Sequence, residues 1–323
     1  MRGATLAIAL AMGLVLSPAV HAQTTAKRAL VGTLGSTPIP PALYEVLKQS
    51  LGQLGYTERQ QIAFVLQDAG GDPARLPAAA TELLRSRPDV IFVRGQAAVA
   101  AAARATTAIP IVAIDLESDP IALGYVKTLA RPGGNVTGVF LDLPELIGKQ
   151  LQLFREIVPS LSRVALMGDP VGNVAQFRAA EGAAQALGVQ VENFKGRTMA
   201  ELEAALEAAR RSRAGAVLVF SSPVVFYNSP RIAALAREKR LATVGPFIEF
   251  AEGGGLLTYG PSLREAYRRC AVYVAKILNG AKPADLPIER PEKFELVINV
   301  KTAKALGLAI PESLLRRADQ ILE

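Results

Sequence analysis

Hydroxyls, short acids and aromatic rings recur in this chain where apolar runs stop. Ser36 and Thr37 follow Ala29 to Leu34, and Gly95-Gln96-Ala97 comes just after Val90 to Val93. Asp119-Pro120 ends the polar stretch after Ile111 to Ile114, and Asp169 sits in Gly168-Asp169-Pro170 after Arg163 to Met167. Ser221-Ser222 stops Ala216 to Phe220, and Phe247 to Glu249 comes shortly after Leu241 to Val244. If the apolar runs are strands of open α/β sheets, these residues stand outside the carboxyl ends, where such sheets bind ligands. Hydroxyls and the unpaired N–H groups of a helix start suit a carboxylate. Asp119, Asp169 and Glu249 suit an ammonium group. Phe226, Phe247 and Tyr259 could face an apolar side chain. Taken singly, the Ser, Gly, Asp and Pro positions are turn residues; as a set they mark a candidate ligand cleft.

Other chemistry is restricted by composition. The only histidine is His21, inside an N-terminal segment with the features of an export signal. Arg2 is its positive end, Ala4 to Leu16 its apolar stretch, and Val20-His21-Ala22 its small-residue cleavage site, so cleavage is expected after Ala22. The apolar run is too short for a comfortable membrane span. Removing that segment takes away imidazole, and with it a His-dependent triad or an imidazole zinc site. A single cysteine, Cys270, excludes an intramolecular disulfide; its place on an apolar stripe marks a core thiol. Walker A, G-x-G-x-x-G and G-x-S-x-G patterns are missing, and no spacing singles out a carboxylate pair among the 29 acids. We therefore expect no catalytic residues, no metal and no cofactor. Arg94 could meet an anion; a surface arginine at a strand end is the preferred reading. Asn135-Val136-Thr137 fits a glycosylation sequon, a pattern common by chance. The +7 net charge is dispersed rather than blocked, which argues against nucleic acid as partner.

The elements that must position these residues alternate strand and helix at βαβ spacing. Pro40-Pro41 opens a helix with Leu43, Val46, Leu47, Leu51 and Leu54 on one face. The rhythm restarts after Arg131-Pro132-Gly133-Gly134-Asn135. Thr198/Glu201 and Ser262/Glu265 have capping-box spacing. The helix from Ser262 carries an apolar stripe of Leu263, Ala266, Tyr267, Cys270, Val274 and Ile277. Asn279-Gly280 stops it, and Pro283, Pro287 and Pro291 hold an extended return to Phe294–Val300. The expected fold class is α/β, with two doubly wound lobes joined by a multi-crossing hinge. Lobe 1 is residues 28–141 plus 262–286, and lobe 2 is 142–261 plus 287–323.

The stretch from Gly245 to Pro311 resembles the C-terminal third of bacterial ABC-transporter solute-binding proteins with a type 1 periplasmic-binding fold, similar to tryptophan- and tyrosine-binding members. Leu129-Ala130-Arg131-Pro132-Gly133-Gly134-Asn135-Val136-Thr137-Gly138 and Lys293 to Asn299 are the most family-specific runs, and the resemblance extends over nearly all of the chain after the signal segment. It implies a periplasmic, monomeric receptor that closes on a small solute and delivers it to an inner-membrane permease and its ATPase. It also implies that the Gly95-Gln96-Ala97, Asp119-Pro120 and Ser221-Ser222 loops face the cleft. Arg94-Gly95-Gln96-Ala97 stands where many members have a Gly-Gly-Thr-Pro-like loop, and Ser221-Ser222-Pro223 also departs from the usual pattern. Aromatic amino acids are therefore the first expectation for the ligand, with another small organic solute left open. The rival readings are a periplasmic ligand sensor and a secreted carboxylate-based hydrolase.

Overall fold

A computed structural model of the chain describes residues 28–115, 117 and 119–323. The expected signal segment and its cleavage site lie outside the described residues.

Two separate sheets carry the architecture. In the first, β1 (Ala29–Gly35), α1 (Pro41–Gln53), β2 (Ile62–Asp68), α2 (Leu76–Arg85), β3 (Val90–Arg94), α3 (Gln96–Ala105), β4 (Ile111–Asp115) and β5 (Val136–Phe140) follow in order. The strands pair in parallel in the order β2-β1-β3-β4-β5. The order reverses direction at β1 and β3, so the strand ends there open into a crevice. Val90, Ile91, Phe92 and Val93 are all buried, as a parallel strand covered on both faces requires.

The second sheet begins after α4 (Ile147–Ile157) with β6 (Arg163–Gly168), α5 (Val174–Leu187), β7 (Gln190–Lys195), α6 (Met199–Arg211) and β8 (Ala216–Val219). Next come α7 (Pro223–Tyr227), α8 (Ser229–Glu238), β9 (Thr243–Gly245), α9 (Ile248–Glu252) and β10 (Leu257–Pro261). The chain then returns to the first sheet with α10 (Leu263–Leu278). It ends in the second with β11 (Phe294–Asn299), α11 (Val300–Leu306), α12 (Glu312–Leu315) and β12 (Gln320–Leu322). The second sheet runs β12-β11-β10-β9-β8-β6-β7, and only β10 and β11 pair antiparallel.

The long helix α10 explains why the first sheet is complete. The chain between β4 and β5 runs through turns over its described residues, so it supplies no covering helix there. Leu263, Tyr267, Cys270, Val274 and Ile277 fill that face together with Leu43, Leu47 and Leu51 of α1. Phe92 meets the Tyr267 ring edge-on at 5.2 Å. The α2 and α3 side chains bury the opposite face in a second core. Each face of the second sheet has its own core as well, from α4 and α5 on one side and α6 and α8 on the other.

The ends of α6 and α10 differ from each other in one respect. Thr198 and Glu201 make both bonds of a capping box. Ser262 accepts from the Glu265 N–H, but the Glu265 carboxylate turns to Arg268 at 3.0 Å, leaving half of the expected box. Ser221-Ser222-Pro223, expected to be a stop, instead starts α7: Ser222 Oγ accepts from the Val225 N–H and Pro223 takes the first helical position.

Candidate functional site

The chain passes from the first sheet to the second after β5, returns with α10 and leaves the first sheet again after Glu289. Gln150 of α4 donates to the Tyr259 carbonyl at 2.8 Å. Arg290 pairs with Asp142 at 2.8 Å, and Arg269 holds Glu289 through two N–H groups. The return segment keeps to the first sheet as far as Glu289, which bridges Val139, and Ile288 lies in its core.

A cavity of about 100 Å³ lies between the carboxyl ends of the two sheets. The first sheet and α1 contribute Ser36, Thr37, Pro40, Leu43, Arg94, Gly95 and Ile114. Elements that follow β8 and β9 contribute Ser221, Ser222, Pro223, Phe226, Tyr227 and Phe247, and Leu263 and Tyr267 project from the start of α10. Each polar position has a local cause. Ser36 and Thr37 leave β1 at its carboxyl end. Gly95 adopts φ 83°, a conformation other residues resist, and turns β3 directly into α3. No side chain caps the first turn of α3.

Arg94 is not the surface arginine preferred from the sequence. Its Nη2 donates to the Thr37 carbonyl at 2.7 Å and its Nη1 to the Pro38 carbonyl at 3.4 Å, and the Tyr267 side chain lines the same cavity. The guanidinium lies over Gly35, where an added Cβ would come within 2.2 Å of Nη2. This close approach is why a strand-end arginine turns into the cavity. Its buried Nε has no partner.

The two sides touch directly across the cavity. The Tyr227 hydroxyl donates to the Pro38 carbonyl at 2.6 Å, joining α7 to the loop after β1. Away from the cavity lining, Asn173 Nδ2 donates to the Glu117 carboxyl, the Ser221 carbonyl at 2.9 Å and Gln176 at 2.9 Å. Burial, with a smaller effect of neighbouring Asp115 and Asp169, pushes Glu117 up to about 9; the Asn173 bond acts the other way. Glu117 is therefore protonated at neutral pH. Burial also raises the Tyr267 phenol to about 12.

Of the positions expected from the sequence, Ser36, Thr37, Gly95, Ser221, Ser222, Phe226 and Phe247 come together in this lining. Gln96, Ala97, Asp119, Pro120, Asp169, Glu249 and Tyr259 do not. Asp119 Oδ1 accepts from the Ile121 and Ala122 N–H groups as a turn residue. Asp169 accepts from Val171 N–H and lies 3.5 Å from Arg197. Glu249 is buried with both oxygens unpartnered, and burial raises its pKa. Tyr259 packs at the crossing beside Phe294. The lining also takes in Pro40, Leu43, Ile114, Pro223, Tyr227, Leu263 and Tyr267, which the sequence does not single out as candidates; Leu43, Leu263 and Tyr267 read there only as members of apolar stripes.

The family model described as ABC transporter substrate binding protein matches residues 38–322. A tyrosine-binding protein of Clostridioides difficile (strain R20291) is 24% identical over 265 residues, covering 80% of this chain and 75% of the relative. A solved ABC domain from Streptococcus pneumonia in complex with L-Trp superposes with a TM-score of 0.82 at 25% identity, covering 91% of this chain and 100% of that one. A conserved domain protein of Vibrio cholerae gives 0.84 at 26% identity, with the same coverage. The fold is the type 1 periplasmic-binding fold, as the sequence resemblance implied.

Proposed function

The chain belongs to the ABC transporter substrate-binding protein family, and from that premise we propose that it is a periplasmic receptor which closes on a small organic solute and presents it to an ABC permease. The family is one of solute-binding proteins, and it implies a permease partner. Among the described residues no helix is long and apolar enough to cross a membrane. The observation that carries the proposal is the cavity between the two sheets, lined from both sides and spanned by the Tyr227–Pro38 bond. A ligand that touches both sides stabilises the closed form through contacts unavailable in the open one.

In this reading, lobe 1 is residues 28–141 plus 262–289 and lobe 2 is 142–261 plus the chain after the return, which moves the expected crossing at 286/287. The return crosses beyond Glu289, since Glu289 still bridges β5. The solute has a polar head near Ser36, Thr37, Ser221 and Ser222 and an apolar body against Phe226 and Phe247. The tyrosine- and tryptophan-binding relatives support amino acids as members of the first panel to test.

The titratable groups in the lining are one guanidinium and two phenols, with burial raising both phenols. That set supports binding rather than acid–base turnover. Thermal unfolding against amino acids and small carboxylates tests the proposal. At least one compound should raise the melting temperature, since a ligand at a hundred times its Kd adds about 2.7 kcal/mol. Ser221→Ala combined with Ser222→Ala should reduce that shift without unfolding the free protein. Recovery of a chemically altered ligand would show an enzyme instead.

A further inference from the structure

We propose, building on the solute-site reading above, that the ligand is a small organic monocarboxylate with a compact apolar body and no ammonium group. The charge of the lining is one-sided. Arg94 is its cation, and no carboxylate lines the cavity among the described residues. Nor does any carboxylate there pair with Arg94 within 4.0 Å. The groups Arg94 does donate to, the Thr37 and Pro38 carbonyls, are neutral. Its positive charge is therefore brought to the cavity without a counter-charge, and one buried donor, Nε–H, has no acceptor. A guanidinium has five donors in a plane, and a carboxylate is the group that matches them. The Ser36, Thr37, Ser221 and Ser222 hydroxyls add donors at the same mouth.

An α-ammonium group would need the opposite environment. Three acids lie near enough to consider. Asp115, one residue past the lining residue Ile114, is fully buried and its Oδ1 accepts from the Glu117 N–H. Glu117 connects to the lining through Asn173 and the Ser221 carbonyl, but its carboxyl already accepts from Asn173 and is protonated at neutral pH. Asp68 acts on the Tyr227 phenol from outside the lining and accepts from the Gly70 N–H. The acids expected to meet an ammonium, Asp119, Asp169 and Glu249, lie elsewhere. An amino acid would thus bury its cation beside Arg94 with neutral hydroxyl acceptors only, and a buried charge without a counter-charge is costly. Size sets the apolar body. An engineered apolar cavity of about 150 Å³ accepts benzene, so about 100 Å³ suits a group smaller than a phenyl ring, of about isobutyl size.

The experiment compares matched probes by titration calorimetry on the processed protein: 4-methylpentanoate, L-leucine and 4-methylpentanamide, with 3-phenylpropanoate, L-phenylalanine and L-tryptophan as the aromatic set. The carboxylates should bind at least about tenfold more tightly than their amino or amide counterparts, the penalty expected for an unpaired polar group or a lost charge. Arg94→Gln should abolish the preference for carboxylate over amide. Gly35→Ala, which touches no ligand, should weaken carboxylate binding by displacing the guanidinium. The melting temperature of each free variant separates this effect from misfolding. Tighter binding of L-leucine or L-phenylalanine than of the matched acid, or of L-tryptophan than of 3-phenylpropanoate, overturns the proposal and leaves the solute-site reading intact. If no probe binds while the protein carries a different small molecule from its host, the proposal again falls and the solute site stands. If no probe binds and nothing is carried, both fall.

Discussion

Arg94 and Cys270 show how one side chain's surroundings decide its chemistry. The Arg94 guanidinium donates to neutral carbonyls, whereas Cys270 is fully buried within 3.7 Å of the Ala113 carbonyl. Burial pushes its thiol far above the ordinary range. Because the thiolate is the reactive form, a thiol reagent at pH 8 should label the native protein at a negligible rate and modify one thiol per chain after denaturation. Rapid native labelling would place Cys270 in an accessible environment. The core thiol was legible because the stripe containing Cys270 repeats at helical spacing. The direction of Arg94 was not, because it depends on Gly35 in a neighbouring strand, and no local pattern joins residues 35 and 94.

At the scale of elements, the loop after β4 and the start of α5 meet through Glu117 and Asn173. The groups that face Glu117 are Asn173, Asp115 and Asp169, and Asp169 is itself 3.5 Å from Arg197. Glu117 is raised from 4.5 to about 9 by burial. A raised carboxyl means the folded state holds a proton that the unfolded state releases. Its contribution to stability is therefore complete below about 4.5, declines as pH rises, and is gone above about 9. Glu117→Gln should gain melting temperature over the parent progressively from pH 5 to pH 9; a gap independent of pH would contradict the assignment. The contact across the cavity gives a ligand-dependent prediction. Tyr227→Phe removes one hydrogen bond that spans the cavity. At about 0.5–1.5 kcal/mol for such a bond, affinity for 4-methylpentanoate should fall about two- to tenfold, mainly through faster dissociation; an unchanged off-rate would show that the bond does not hold the cleft shut. The sequence allowed most strands and long helices to be placed within a few residues. It concealed α7 and α9, whose five residues are too few to establish a period, and Ser221-Ser222-Pro223 reads equally as a stop or a helix start.

For the whole molecule, the alternation of strands and helices was enough to indicate two α/β units, and the family-specific runs indicated how they are joined. The departure and return of α10 was legible because its apolar stripe is too broad for a surface helix and is followed by spaced prolines. The cavity itself was only half legible. Polar residues at strand ends mark where a ligand could sit, but which of them converge depends on how the second sheet is set against the first. Asp119 and Asp169 were drawn to the site by residue type, yet each is used by its own turn. Closure also has a shape consequence: solution scattering should show a smaller radius of gyration with a binding carboxylate than without it, and an unchanged value would argue for a preformed, rigid site.

The central claim is that the cavity between the two sheets holds a discrete small solute. The most direct measurement is native mass spectrometry of the protein recovered from the periplasm, followed by denaturation to release anything bound. We expect one small organic acid per chain, lost on denaturation and lost also from the Arg94→Gln variant. A clean ligand-free mass, together with no thermal shift from any amino acid or small carboxylate, would contradict the claim.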